Sequence, residues 1–307
     1  MKQPIIILGF GRSGTTWISD IVSKALGGLV LFEPLHPSVT DSSERLSYRP
    51  VTEDAACELK PYFDEVLTKR QRKMWLMRNH VPVPLKDIDP VFLDTLWDEC
   101  AVIGFKEIRC NLMLPWLVEN YGRKIVFVIR DPRAVTASIL RRKNFWEFGW
   151  PGTFNAFLAA TLDNSDVARL LPKEGINRAR LAANDIERIG AMWAITHAII
   201  LPQLKQLGIS FFLYEDFYEQ PFRTARRMFE QLGYGEVPLH PAHLLTPSMT
   251  TAKTVHGLYD FDRKIEKHDL SFFWSDTLGT GDLAQLQSVL SAFDLPAELD
   301  EKWGVIL

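Results

Sequence analysis

The segment from residue 4 to residue 17, Pro-Ile-Ile-Ile-Leu-Gly-Phe-Gly-Arg-Ser-Gly-Thr-Thr-Trp, restricts the fold more than any other part of the chain. An apolar run ends in three glycines, Gly9, Gly11 and Gly14, followed by Thr15 and Thr16. Apolar residues then recur at helical spacing, at Ile18, Ile21, Val22, Ala25 and Leu26. The pattern predicts a buried strand, a tight loop and an amphipathic helix. Glycines let backbone N–H groups approach a ligand closely, and a helix start adds unpaired donors and the positive end of its dipole. Ser13, Thr15 and Thr16 contribute hydroxyls, and Arg12 a permanent cation. A phosphate is the expected guest.

Two templates compete for these glycines. Read as Gly9-x-x-x-x-Gly14, the spacing is that of a nucleoside triphosphate loop, but the lysine that should follow Gly14 is Thr15, which argues against a Walker ATPase or GTPase. Read as Gly9-x-Gly11-x-x-Gly14, it also satisfies the dinucleotide fingerprint, with Glu33 about where the ribose-binding acid would fall. The glycines alone do not separate these readings.

A chain of 307 residues suffices for one α/β domain spanning 1–307. Its formal charge of -3 gives no broad attraction for nucleic acid or a membrane surface, so any cationic site must be local. The three cysteines, Cys57, Cys100 and Cys110, lack paired metal spacing and suit a reducing compartment. The first strand begins almost at Met1, and no apolar run is long enough to span a bilayer; the expectation is a soluble cytoplasmic protein.

Along the chain, Leu29 to Phe32 reads as a second strand that leaves Glu33 at its carboxyl end, facing the crevice where open parallel sheets bind ligands. By position alone, Glu33 serves equally as a base, a loop cap or an arginine's partner; His36 is a second candidate base. Residues 38–100 read as a helical insertion, with helices near 54–70 and 90–98 and prolines at 82, 84 and 90 as punctuation. Ala101 to Phe105 reads as the next strand, delivering Lys106, Glu107 and Arg109 to the cleft edge or, on a plainer reading, to the surface. In Ile125 to Ile129 another strand is expected. Asp131 caps the helix after it, Pro132 takes the first helical position, and Arg130 points into the crevice. Ser138 lies about two turns along that helix. Residues 141–206 read as a second helical insertion with an aromatic entry (Phe145, Trp146, Phe148, Trp150, Phe154) and a structural His197. Ile209 to Leu213 reads as a last strand.

Arg-Ser-Gly-Thr-Thr-Trp at 12–17 resembles the 5'-phosphosulfate loop of sulfotransferases that use 3'-phosphoadenosine 5'-phosphosulfate (PAPS). The arginine in place of the usual lysine is more like the carbohydrate and tyrosyl-protein branches. Leu-Phe-Glu-Pro-Leu-His at 31–36 is similar to a stretch of the carbohydrate 6-O-sulfotransferases, Lys-Glu-Ile-Arg at 106–109 resembles the family's lysine-bearing strand end, and Tyr214 to Phe217 resembles an element after its last strand. The animal carbohydrate enzymes carry an N-terminal membrane anchor, which is not expected here. Small-molecule sulfotransferases place a basic histidine where Ile108 stands and complete the 3'-phosphate site with an Arg-Lys-Gly triplet absent from 247–274, where Lys253 or Arg263 would have to help.

The resemblance implies a P-loop-like parallel sheet flanked by helices. It implies PAPS as donor, with the product 3'-phosphoadenosine 5'-phosphate (PAP) held by Gly11, Arg12, Ser13, Gly14, Thr15, Thr16 and Trp17 on one side and by Arg130 and Ser138 on the other. Catalysis would fall to Glu33, Arg12 and Lys106, without a metal, and Phe32 and Leu35 would raise the pKa of Glu33. The acceptor would be a hydroxyl of a carbohydrate, with a lipid or small molecule behind it. A nicotinamide oxidoreductase, a noncatalytic PAP-binding module and a magnesium-dependent kinase are the alternatives.

Overall fold

The computed structural model describes residues 3–41, 46–68, 73–78, 81–141, 151–245, 254–255, 258–259 and 273–304. Seven strands form one sheet: β1 (Ile5–Gly9), β2 (Leu29–Phe32), β3 (Trp75–Arg78), β4 (Val81–Pro84), β5 (Ile103–Glu107), β6 (Ile125–Ile129) and β7 (Phe211–Leu213), in the order β4-β3-β2-β5-β1-β6-β7. The five strands from β2 to β7 in that order run parallel, as the sequence led us to expect. Along β1, Ile6 and Leu8 enter one apolar core while Ile5 and Ile7 enter the other, because successive side chains alternate across a sheet. Both faces are thus covered, which is why β1 and β6 read as continuous apolar runs.

Helix α1 (Thr15–Leu26) follows β1. After it come α2 (Glu53–Leu67), α3 (Pro90–Glu99), α4 (Leu114–Tyr121), α5 (Pro132–Leu140) and, beyond shorter helices, the long α6 (Asp185–Leu207). Asp131 caps α5 through the N–H of Arg133 (2.8 Å), with Pro132 at the first position as expected. No helix among the described residues is long and apolar enough to cross a membrane.

Two expectations change. The stretch read as a helical excursion also contains the antiparallel pair β3 and β4, which extends the sheet beyond β2. Pro82 and Pro84 are compatible with a strand because β4 is an edge: they alternate with Val81 and Val83, so the missing N–H groups face away from β3. Strand β5 starts and ends two residues later than expected, so Lys106 and Glu107 lie inside it. Phe154 is buried, and the rest of the aromatic entry, at 145–150, lies outside the described residues, as do Lys253 and Arg263.

Candidate active site

The chain crosses from one side of β1 to the other between β5 and β6, so the crevice beyond the carboxyl end of β1 is the switch point where open sheets bind ligands. There the loop before α1 turns through two left-handed residues, Arg12 (φ 69°) and Gly14 (φ 87°). Gly14 is needed twice over, for that φ and because a Cβ on it would sit 2.2 Å from the Tyr214 ring. Trp17 and Ile18 donate their N–H groups to Gly14 O. Those of Thr15 and Thr16 belong to the first turn, which has no acceptor within the helix. The Ser13 hydroxyl is buried and has no hydrogen-bond partner among the described residues. Asn111 pins the base of the loop: its Oδ1 accepts from Gly9 N and its Nδ2 donates to Gly9 O, both at 3.1 Å.

The second corner, where β6 passes into α5, meets the first. Arg12 Nε donates to Ser138 Oγ at 2.8 Å, and Arg130 donates to Arg12 O at 3.1 Å. Arg12, Ser13, Gly14, Arg130 and Ser138 thus form one group of donors and cations. The Arg130 guanidinium also lies 4.3 Å from the Tyr214 ring centre. Trp17 is turned elsewhere: its ring packs on Tyr214 and Tyr218 at 5.6 and 5.1 Å, so it supports the loop from behind. Beside this group, Glu215 accepts from Asp131 N (3.1 Å), and burial raises its pKa to about 7 against the pull of Arg130. Asn111, Tyr214 and Glu215 were not marked as site residues by the sequence. Only the likeness of 214–217 to a family element pointed toward the last two.

The third part of the cleft is a cluster of four buried charged side chains. Glu33, Lys106, Glu107 and Arg109 are 4%, 2%, 0% and 3% exposed, which rules out the reading of Lys106 and Arg109 as surface cations. Lys106 Nζ is bound to Glu33 Oε1, and Arg109 donates to Glu33 Oε2 at 2.9 Å. Glu107 Oε1 accepts from the N–H groups of Ile108 (2.8 Å) and Arg109 (3.0 Å), and its Oε2 from Leu35 N (2.5 Å). Glu33 itself has φ 47°, a left-handed conformation uncommon outside glycine, held by Glu33 N donating to Lys106 O and His36 N donating to Glu33 O.

The expected rise in the Glu33 pKa does not occur. Burial does push it up, but the charges of Lys106 and Arg109 and their hydrogen bonds outweigh burial and hold it at about 2. Apolar neighbours were visible in the sequence; the two cations arriving from β5 and the turn after it were not recognised as its partners. His36 packs its ring 4.7 Å from that of Trp75 and accepts from Ser38 N through Nδ1, on the rim of the cluster. His197 is buried under the sheet, its Nδ1 bonded to Trp193 O.

Among solved structures, a sulfotransferase domain from the curacin biosynthetic pathway aligns at 17% identity and a TM-score of 0.47, over 96% of this chain and 99% of its own. The sulfotransferase domain of the Synechococcus PCC 7002 olefin synthase aligns at 17% identity and 0.45, over 95% and 96%. A mouse sulfotransferase complexed with PAP aligns at 10% identity and 0.42, over 95% and 84%. No curated relative matches the chain. The family model described as a sulfotransferase domain matches residues 2–256, which takes in β1 to β7 and every side chain placed in the cleft above, and by that match the chain belongs to the sulfotransferase family.

Proposed function

We propose that this sulfotransferase takes its sulfuryl group from PAPS and transfers it to a carbohydrate hydroxyl, with residues 1–307 acting as one domain. The observation that carries the donor assignment is the joining of two strand-to-helix corners through Arg12, Ser138 and Arg130, which provides for two phosphates on one ligand. The unpartnered Ser13 hydroxyl and the first-turn N–H groups of α1 suit the 5'-phosphosulfate, with Gly11 and Gly14 shaping the approach and Thr15 and Thr16 adding hydroxyls. Arg130 and Ser138 suit the 3'-phosphate. A nicotinamide dinucleotide would need Glu33 for its ribose, and both oxygens of Glu33 are already engaged by cations.

In the reaction the acceptor oxygen attacks sulfur in line, the bond from sulfur to the bridging phosphate oxygen breaks, and that oxygen keeps the electron pair and leaves as PAP. The hydroxyl proton passes to Glu33. Arg12, Lys106 and the loop N–H groups stabilise the negative charge on the sulfuryl and leaving oxygens. Glu33 as base and the likeness of residues 31–36 to the carbohydrate 6-O-sulfotransferases favour a sugar acceptor. Labelled PAPS offered with saccharides, lipids and phenols in parallel tests this. Transfer to saccharides is expected, and transfer to phenols or lipids alone would overturn the acceptor assignment while leaving the donor in place. A noncatalytic PAP-binding module would transfer to none of them.

A further inference from the structure

Glu33 as found is a poor base: both its oxygens are held by cations, and a carboxylate so paired resists protonation. One partner must leave before a hydroxyl proton can be accepted. The two cations are not equivalent. Arg109 is fixed on every side: its guanidinium reaches Glu33 Oε2 and also Glu107 Oε1 (3.4 Å), its N–H donates to Glu107, and its carbonyl accepts from Tyr48 N (2.7 Å). Glu107 in turn holds Leu35 N, two residues beyond Glu33, and the Tyr62 hydroxyl holds Pro34 O between them. Lys106 is a compact ammonium on a four-carbon stem, placed on Glu33 Oε1 and 4.3 Å from the centre of the Phe32 ring.

Taking Glu33 as the base, as proposed above, we infer that Arg109 is a positioning residue that keeps Glu33 aimed through Oε2, whereas Lys106 is exchangeable and leaves Oε1 for the sulfuryl oxygens of the bound donor. Glu33 then becomes competent only when the donor is present. The ammonium keeps its protons throughout and passes from one anion to another, so no bare charge is created in the buried site. Oε1 is released toward the acceptor hydroxyl while Arg109 preserves the direction of the carboxylate. Burial pulls the Lys106 pKa down, which makes an anionic partner necessary at both ends of its movement.

Among the described residues, the charged groups that act on Glu33 are Lys106, Arg109 and Glu107, all from β5 and the turn after it. Around them, Cys110, whose thiol burial pushes up, faces Glu107 and Arg109, and Tyr62 on α2, raised by burial, by Glu107 and by Glu65, faces Glu107. Of these, Lys106 is the group whose departure would change the charge at Oε1.

The test follows the Glu33 carboxyl directly, by carbon NMR of the full chain labelled at glutamate Cδ, with the resonance identified by its loss in Glu33→Gln. Without ligand and with PAP, which carries no sulfuryl group, Glu33 should stay ionised down to pH 4. With PAPS and no acceptor its midpoint should rise by at least about two pH units. Lys106→Met should show the raised midpoint without any donor. Arg109→Met should bind PAP within about threefold of the unmodified chain yet lose kcat at least about thirtyfold, with partial recovery in Arg109→Lys. A Glu33 midpoint unmoved by PAPS, or moved equally by PAP, overturns the exchange, and both arms are read on the unmodified chain. Should Glu33→Gln retain turnover, the assignment of the base fails first; should it lose turnover while PAPS leaves the midpoint unmoved, the exchange alone fails.

Discussion

Replacing Glu33 by Gln removes the carboxylate shared by Lys106 and Arg109, and the structure sets the cost. The side chain is ordinarily half-protonated at pH 4.5, and in the folded protein that point lies at about 2. The difference between the two is worth about 3 kcal/mol of stability. Because the folded value is depressed, this stability is complete above pH 4.5 and is lost as the pH falls toward 2. Breaking a buried ion pair by deleting one partner costs a similar ~3–5 kcal/mol, since the remaining charge is stranded. Glu33→Gln should therefore be about 3 kcal/mol less stable than the unmodified protein in urea unfolding at pH 7 and at pH 5, with the gap closing below pH 4. Turnover per folded molecule should fall at least about a hundredfold, because a general base is gone, while PAP affinity stays within about threefold. Stability within about 0.5 kcal/mol of the unmodified protein at pH 7 would refute the argument, since it would mean the two cations do not depend on Glu33.

Other perturbations probe the rest of the site. Gly14→Ala forces a Cβ into the Tyr214 ring at a left-handed φ, so PAP affinity measured by calorimetry should fall at least about tenfold, from about 1–2 kcal/mol of backbone strain and the displaced ring. Asn111→Ala strands the buried N–H and C=O of Gly9, and thermal unfolding should report a loss of about 1–3 kcal/mol. Burial holds His197 neutral, with its pKa lowered from 6.5 to about 4. The unfolded chain thus takes up the proton first, and stability should decline by about 3 kcal/mol as pH falls from 6.5 to 4. In His197→Phe the pH dependence of urea unfolding across that window should flatten.

What could be read from the sequence was local. The turn from β1 into α1 carries its glycines and Arg12 within residues 4–17, and the one from β6 into α5 carries Arg130, its Asp131 cap and Pro132 within residues 125–138, so strand, loop and helix could be placed before any contact was known. The β3 and β4 pair escaped because alternating prolines read as punctuation, and only their position on an outer edge makes them compatible with a strand. The state of Glu33 escaped for a different reason. Its partners lie 73 and 76 residues away, and the register of β2 on β5, pairing Phe32 with Lys106, is what brings them together. Asn111 reaches Gly9 across 102 residues with no local signature at all. The same position-only reading that offered Glu33 as a base also offered it as an arginine's partner, and Arg109 does pair with it.

On the proposed function, the two corners joined by Arg12 and Arg130 form a single site for a doubly phosphorylated adenosine. Calorimetric titration of PAP into the unmodified chain, Arg12→Met, Arg130→Met and the double variant tests it most directly. Saturable one-to-one binding is expected, with a loss of at least about tenfold in each single variant and a combined loss smaller than the product of the two, because the residues share one ligand and touch each other. Binding of NAD in preference to PAP, or PAP affinity indifferent to both substitutions, would contradict it.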